Sequence, residues 1–286
     1  MTEASKTLRA LARRLAEEHC ELPDARAALL TGSAAQGISD FHSDIDLILY
    51  YDALPGSFPL VEAYPPIWRV GDPSSGAVMM AHKIEGVECQ LVHSTLDSLD
   101  AQFRAVHEDL DIVSPTSKAL SGILDGLPLF GEELIATLKS RAADFPDALA
   151  TKMIEAHLNF FPLWNAAGWL QARDCALWQA EIRYEACKNI LAILCGLNRV
   201  YFTPFQLKHT KKLCEKLLIA PENLHARLES ALSGDLSALK TLFEETVALI
   251  ETHRPEISTE AVRQQLSRTW TPWELRDRGL DKPTAR

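Results

Sequence analysis

The sequence is short of several features, and each shortage removes a class of protein. No apolar run approaches the roughly 20 residues that a helical membrane span takes. No basic-then-apolar leader opens the chain, so a cytoplasmic location is the expectation. The six cysteines (Cys20, Cys89, Cys175, Cys187, Cys195 and Cys214) show neither CxxC nor Cys/His metal spacing. That argues against a zinc ribbon or disulfide scaffold and for reduced core thiols. Histidines at ligand spacing, internal repeats and low-complexity tracts are also missing. Positive charge is scarce: 29 Lys and Arg stand against 39 Asp and Glu, a net charge of −10. The whole excess lies in residues 1–130, with nine basic and nineteen acidic residues, while 131–286 carry twenty of each. An acidic surface repels a phosphate backbone, so nucleic acid is not expected as the main partner. It suits a cationic ligand or bound metal ions, and equally plain solubility.

What is present is an ordinary globular composition, 47% hydrophobic and 24% charged over 286 residues, enough for two domains with separate cores. "MTEASKTLRALARRLAEEHCEL" predicts an amphipathic helix with Leu8, Leu11 and Leu15 on one face. A strand over about 26–31, a short helix over about 33–38 and a strand over about 44–51 follow. Beyond the Pro-rich "LPGSFPLVEAYPP", the runs "IWRVGD", "AVMMAHKI" and "VECQLVHS" read as strands, separated by "PSSG" and "EG" turns. Helices are expected over "STLDSLDAQFRAVHEDL" and about 115–125, with "DGLPLFGEEL" a turn and helix start. From about residue 131 every periodic segment reads as helix, including "ALATKMIEAHLNFFPLWNAAGWLQ" as one. The expected fold class is therefore an α+β domain, a mixed sheet flanked by helices, over 1–130, followed by an all-α helical bundle over 131–286. The polar tail "TWTPWELRDRGLDKPTAR" is expected to be a partly docked extension.

The stretch "LLTGSAAQGISDFHSDIDLILYYD" concentrates the chemistry. Strand side chains alternate, so Asp44 and Asp46 share one face while Ile45, Leu47 and Leu49 take the other. Carboxylates this close repel and resist desolvation, and a fold keeps such a pair where a cation sits between them. An oxygen-only donor set suits Mg²⁺. Gly32 lets the backbone approach a ligand, and Ser33 offers a hydroxyl at the start of a short helix; both suit phosphate. A turn for the outer phosphates of a nucleotide, beside acids for the metals that bridge them, is phosphoryl-transfer equipment.

Gly32-Ser33, ten residues, then Asp44-Ile45-Asp46 and an apolar run resemble the signature of the DNA polymerase β-type nucleotidyltransferase superfamily. The two-part layout is similar to that of the aminoglycoside adenylyltransferases of the streptomycin/spectinomycin type. The resemblance implies two Mg²⁺ ions held by Asp44, Asp46 and a third carboxylate on a later strand. Glu88, the only acid of "VECQLVHS", is the candidate. Gln90 shares its face, and strand register decides which of the two reaches the metals. Also implied is in-line attack by an acceptor hydroxyl on the α-phosphorus of ATP or another nucleoside triphosphate, with Glu88 a candidate base and pyrophosphate leaving. Gly32, Ser33 and Ser43 become candidate nucleotide contacts.

The expected function is Mg-dependent transfer of a nucleoside monophosphate to a hydroxyl of a small molecule, with an aminoglycoside-like antibiotic, and hence antibiotic resistance, as the leading expectation. The alternatives are nucleotidylation of a protein or tRNA end, a catalytically silent nucleotide-binding module, and an antitoxin-like interaction protein. In the helical half the resemblance points to Lys188 and Lys208 as phosphate contacts. Tyr201 is a candidate to pack near base or sugar, or a core aromatic. Asp174, Glu181 and Glu185, near Trp169 and Trp178, are a candidate cleft for an amine-bearing acceptor, or ordinary bundle faces. Oligomeric state is not legible.

Overall fold

Alternating apolar residues in the first 130 positions pair into one mixed sheet. A computed structural model describes residues 1–113, 115–170 and 173–268. Its strands are β1 (Ala25–Thr31), β2 (Ile45–Tyr51), β3 (Trp68–Asp72), β4 (Ala77–Ile84), β5 (Val87–Thr95) and β6 (Leu127–Phe130), in the order β3-β4-β5-β2-β1-β6. β2 and β5 run parallel; the other neighbouring pairs are antiparallel. The helices are α1 (Glu3–Cys20), α2 (Gly32–Gln36), α3 (Leu96–His107), α4 (Thr116–Asp125), α5 (Glu132–Ala143), α6 (Asp147–His157), α7 (Leu163–Leu170), α8 (Ala176–Leu197), α9 (Thr210–Glu215), α10 (Leu224–Leu232), α11 (Leu236–His253) and α12 (Glu260–Ser267). None is long and apolar enough to cross a membrane among the described residues.

One sheet face is apolar. Ile45, Leu47, Leu49 and Tyr51 of β2, with Cys89 and Leu91 of β5, pack against Leu8, Leu11 and Leu15 of α1. Each such buried aliphatic stabilises the fold by about 1.5–3 kcal/mol. A one-residue slip of β2 would turn that set outward and Asp46 inward, so burial fixes the register. On the other face α4 lies beside β1, with Gly122 close to the Thr31 side chain and Gly126 close to Leu29. The β4–β5 hairpin turns on Glu85 (φ 52°) and Gly86 (φ 85°), the left-handed pair that a two-residue turn needs.

By its contacts the chain divides into two compact units, Met1–Lys152 with Arg199–Phe205, and Met153–Asn198 with Gln206–Arg286. The division expected at 130/131 thus moves toward the C-terminus, because α5 packs on α4 and β1. In the second unit the C-terminal half of α8, Asn189 to Leu197, is buried, and α7, α10 and α11 pack against α8.

Other differences have local causes. "LPLF" is a strand, not a turn: β6 is a four-residue sheet edge, short enough to lack alternation, and Pro128 is tolerated at an edge. The single helix expected over 148–171 is broken between His157 and Leu163, where Pro162 cannot continue an α-helical hydrogen-bond ladder. The tail from residue 269 lies outside the described residues, as does the Trp169 side chain.

Two histidines are buried in the core of the first unit. His19 Nδ1 lies 2.7 Å from the Leu15 carbonyl and His93 Nδ1 3.1 Å from the Tyr51 hydroxyl; the two ring centroids are 5.4 Å apart. Burial holds both imidazoles below their ordinary value of 6.5, His93 well below. The unfolded chain therefore takes up protons that the folded chain refuses. The neutral rings stabilise the fold fully above about pH 6.5, and that contribution drains away as pH falls below it. Thermal melts should show a flat Tm from about pH 8 to 7 and a falling Tm from about pH 6.5 to 5. His93→Phe should make the fall shallower without abolishing it, since burial depresses His107 and His157 too. A wild-type Tm that stays flat down to about pH 5 would contradict the burial argument.

Candidate active site

The site grows from the bend between β1 and β2. β1 ends at Thr31, Gly32 takes φ +68°, and the chain winds one short turn as α2 before Gly37, at φ +75°, stops it. Both conformations favour glycine. At Gly32 a second constraint operates: a Cβ there would overlap Asp46 Oδ2. The Asp46 carboxylate is therefore packed directly under the glycine bend.

The neighbourhood of this bend is held from α1, which nothing in the motif announces. Arg9 donates from Nε to Ala34 O (2.8 Å) and from a terminal nitrogen to Ala35 O (2.5 Å), satisfying carbonyls of α2. Thr2 Oγ1 donates to Ser39 O (2.7 Å), and Ser39 N–H donates to Ser5 Oγ (2.9 Å). Ser33 Oγ is 3.1 Å from Ser39 Oγ. Ser43 belongs to the next turn: its hydroxyl donates to Asp40 Oδ1 (3.1 Å) and accepts from Asp40 N–H (3.0 Å). Asp40 also accepts from His42 N–H at 2.9 Å, and these bonds hold its carboxyl below the usual range.

β2 then presents the acids. Asp44, just before β2, and Asp46, within it, are half-buried, and Asp46 lies on the face opposite Ile45 and Leu47. Asp46 pairs across β1 with Thr31 and across β5 with Gln90. The register therefore puts Gln90, not Glu88, beside Asp46. Glu88 lies one pleat nearer the start of β5, on the same face and exposed. Gln90 Nε2 links the acids, 3.0 Å from Asp44 Oδ2 and 3.3 Å from Glu88 Oε1. Burial foremost, then Asp44, Glu85 and Glu88, push the buried Cys89 thiol up to about 12. Among the described residues no three His, Cys, Asp or Glu side chains are grouped as a ready metal site.

The remaining candidates lie on other elements of the chain. Tyr201 belongs to the first unit but is a core residue: its side chain is buried, its hydroxyl donates to Ala142 O (2.8 Å) and lies 2.7 Å from His107 Nε2, and its ring packs on Phe145. Of its two expected places, this is the core aromatic. Lys188, Lys208, Asp174, Trp178, Glu181 and Glu185 belong to the second unit. There Lys188 is half-buried on α8 and its charge helps lower His157, after burial; Lys208 is exposed in a 3-10 turn. Asp174, Glu181 and Glu185 are exposed, and Trp178 meets Phe161 edge-on at 5.2 Å.

No model of a known protein family matches the sequence, and no curated protein does. Among solved structures, the chain is similar to a nucleotidyltransferase-like protein from Exiguobacterium sibiricum 255-15, with 12% identity and a TM-score of 0.32 over 89% of this chain and 81% of that one. A likeness at that score carries no argument, and the functional reading rests on the residues themselves.

Two substitutions test this geometry. Gly32→Ala should cost about 1–3 kcal/mol, from left-handed strain and the displaced carboxylate. Gly56→Ala, where a Cβ meets nothing, should stay within about 0.5 kcal/mol. Equal urea midpoints for the two would contradict the packing of Asp46 under the bend. Tyr201→Phe should cost about 0.5–1.5 kcal/mol of stability; an unchanged urea midpoint would contradict its buried hydrogen bond to Ala142 O.

Proposed function

We propose that this chain is a Mg²⁺-dependent nucleotidyltransferase. It moves a nucleoside monophosphate, AMP from ATP in the leading case, onto a hydroxyl of a small molecule and releases pyrophosphate. One observation carries the reading: Asp44, just before β2, and Asp46, within it, lie together, and the Asp46 carboxylate is packed where a Cβ on Gly32 would fall.

The donor chemistry fits a hard divalent ion. Asp44 and Asp46 offer carboxylate oxygens, Glu88 a third, and Gln90 an amide oxygen if its side chain turns. Mg²⁺ bound there would polarise the phosphates and offset charge developing on the departing pyrophosphate. The other roles fall to the chain. Asp44 and Asp46 would hold the metal ions, the Gly32 bend would turn backbone toward the outer phosphates, and Ser33 would donate a hydroxyl hydrogen bond to one of their oxygens. The acceptor oxygen bonds to the α-phosphorus as the bond to the bridging oxygen of pyrophosphate breaks. Exposed Glu88 takes the acceptor's proton. Lys188 and Lys208 are the proposed cations for the triphosphate. Asp174, Glu181, Glu185 and Trp178 are the proposed contacts for an amine-bearing acceptor of the aminoglycoside kind. Residence in the cytoplasm, with its nucleotide pool and reduced thiols, belongs to the same proposal.

A second reading, a nucleotide-binding protein without turnover, is favoured by one feature: an amide stands beside Asp46 where a carboxylate would bring more charge. Incubation with each labelled nucleoside triphosphate, Mg²⁺ and an aminoglycoside panel separates the two. Pyrophosphate release with a mass increment on an acceptor is the expected outcome; nucleotide binding with no release in any combination would support the second reading. Asp46→Asn should lower turnover by at least about a thousandfold while its melting temperature holds or rises, because one repelling charge is gone. Turnover equal to wild type would remove Asp46 from the metal site.

A further inference from the structure

A neutral amide, Gln90, stands among the acids of this face. Parallel pairing sets Gln90 laterally against Asp46, and its Nε2 lies within hydrogen-bonding range of carboxylates on two strands, Asp44 of the β2 approach and Glu88 of β5. A side-chain amide carries two N–H donors, so one bond to each acid uses both. Asp44 and Glu88, which would otherwise repel across the strands, are drawn to a shared donor.

We infer that Gln90 is the positioning residue of this site: it fixes the Asp44 and Glu88 carboxylates while no ion is bound and makes the bare site a weak one for divalent cations. The inference rests on the reading of Asp44 and Asp46 as metal ligands. Two effects act in the same direction. An amide in this place leaves the cluster one negative charge poorer than a carboxylate would, and affinity for hard cations follows ligand charge. An arriving ion must also displace the Gln90 N–H from Asp44 Oδ2 before that oxygen can coordinate. Tight binding then waits for the extra oxygens of a triphosphate, so ion and nucleotide enter together. That would protect the acids from the free divalent pool and make occupancy report on nucleotide.

The test is Mn²⁺ binding to the full chain without nucleotide, followed by electron paramagnetic resonance, with melting temperatures measured in EDTA and in Mn²⁺. Gln90→Glu should bind Mn²⁺ at least about tenfold more tightly than wild type, because it adds a charge and removes the competing donor. It should melt lower than wild type in EDTA and recover in Mn²⁺. Gln90→Leu, which keeps bulk without charge, should also melt lower in EDTA, and adding Glu88→Gln should relieve that loss by removing the repulsion. A Gln90→Glu chain that folds only when Mn²⁺ is present would support the inference equally. Equal Mn²⁺ affinity in wild type, Gln90→Glu and Gln90→Leu, with equal melting in EDTA, would overturn the role of Gln90 and leave the metal reading intact. No Mn²⁺ binding by any of the three, with or without ATP, would overturn both.

Discussion

The parallel pairing of β2 with β5 is the constraint on which the rest depends. It is fixed by burial: Ile45 meets Cys89 and Leu47 meets Leu91 on the face that α1 covers. Because side chains alternate, the same pairing must set Asp46 against Gln90, with Asp44 and Glu88 one pleat away. The polar cluster is thus a by-product of an apolar register worth several buried aliphatics. Repulsion among the acids cannot slip the strands, since a slip would forfeit the whole core face. The site can carry unfavourable electrostatics because the opposite face holds it in place.

Most of that face was legible beforehand. Short apolar runs bounded by turn residues mark β2, β4 and β5; "AVMMAHKI" is the strand Ala77–Ile84 from end to end. The glycine bend and the Asp44–Asp46 spacing stand out for the same reason: both are local, and local periodicity survives into the fold. What was not legible is non-local. Which of Glu88 and Gln90 stands beside Asp46 is a property of pairing between segments some forty residues apart. The hold of Arg9, Thr2 and Ser5 on the loop around α2 joins residues far apart in the chain and has no periodic signal. Tyr201 reads as a loop aromatic until its buried hydroxyl is seen bonded to Ala142 O. β6 fails for another reason, since four residues with a proline cannot display a period of two.

The acidic imbalance of residues 1–130 acquires a local meaning at Asp44, Asp46 and Glu88. Elsewhere in that unit acids serve ordinary ends, as Asp52 pairs with Arg26 and Asp72 caps a turn at Ser74. At the β2–β5 face Asp44 and Glu88 meet a single amide, Gln90. That group is a few side chains wide, and it adjoins Gly32, whose missing Cβ makes room for the Asp46 carboxylate.

Anomalous diffraction from a crystal grown with Mn²⁺ and a non-hydrolysable ATP analogue addresses the central claim most directly. The account predicts a manganese peak between the Asp44 and Asp46 carboxylates, with the analogue's outer phosphates against the Gly32 bend. Well-ordered phosphates lodged elsewhere, with no anomalous density between those two acids, would contradict it.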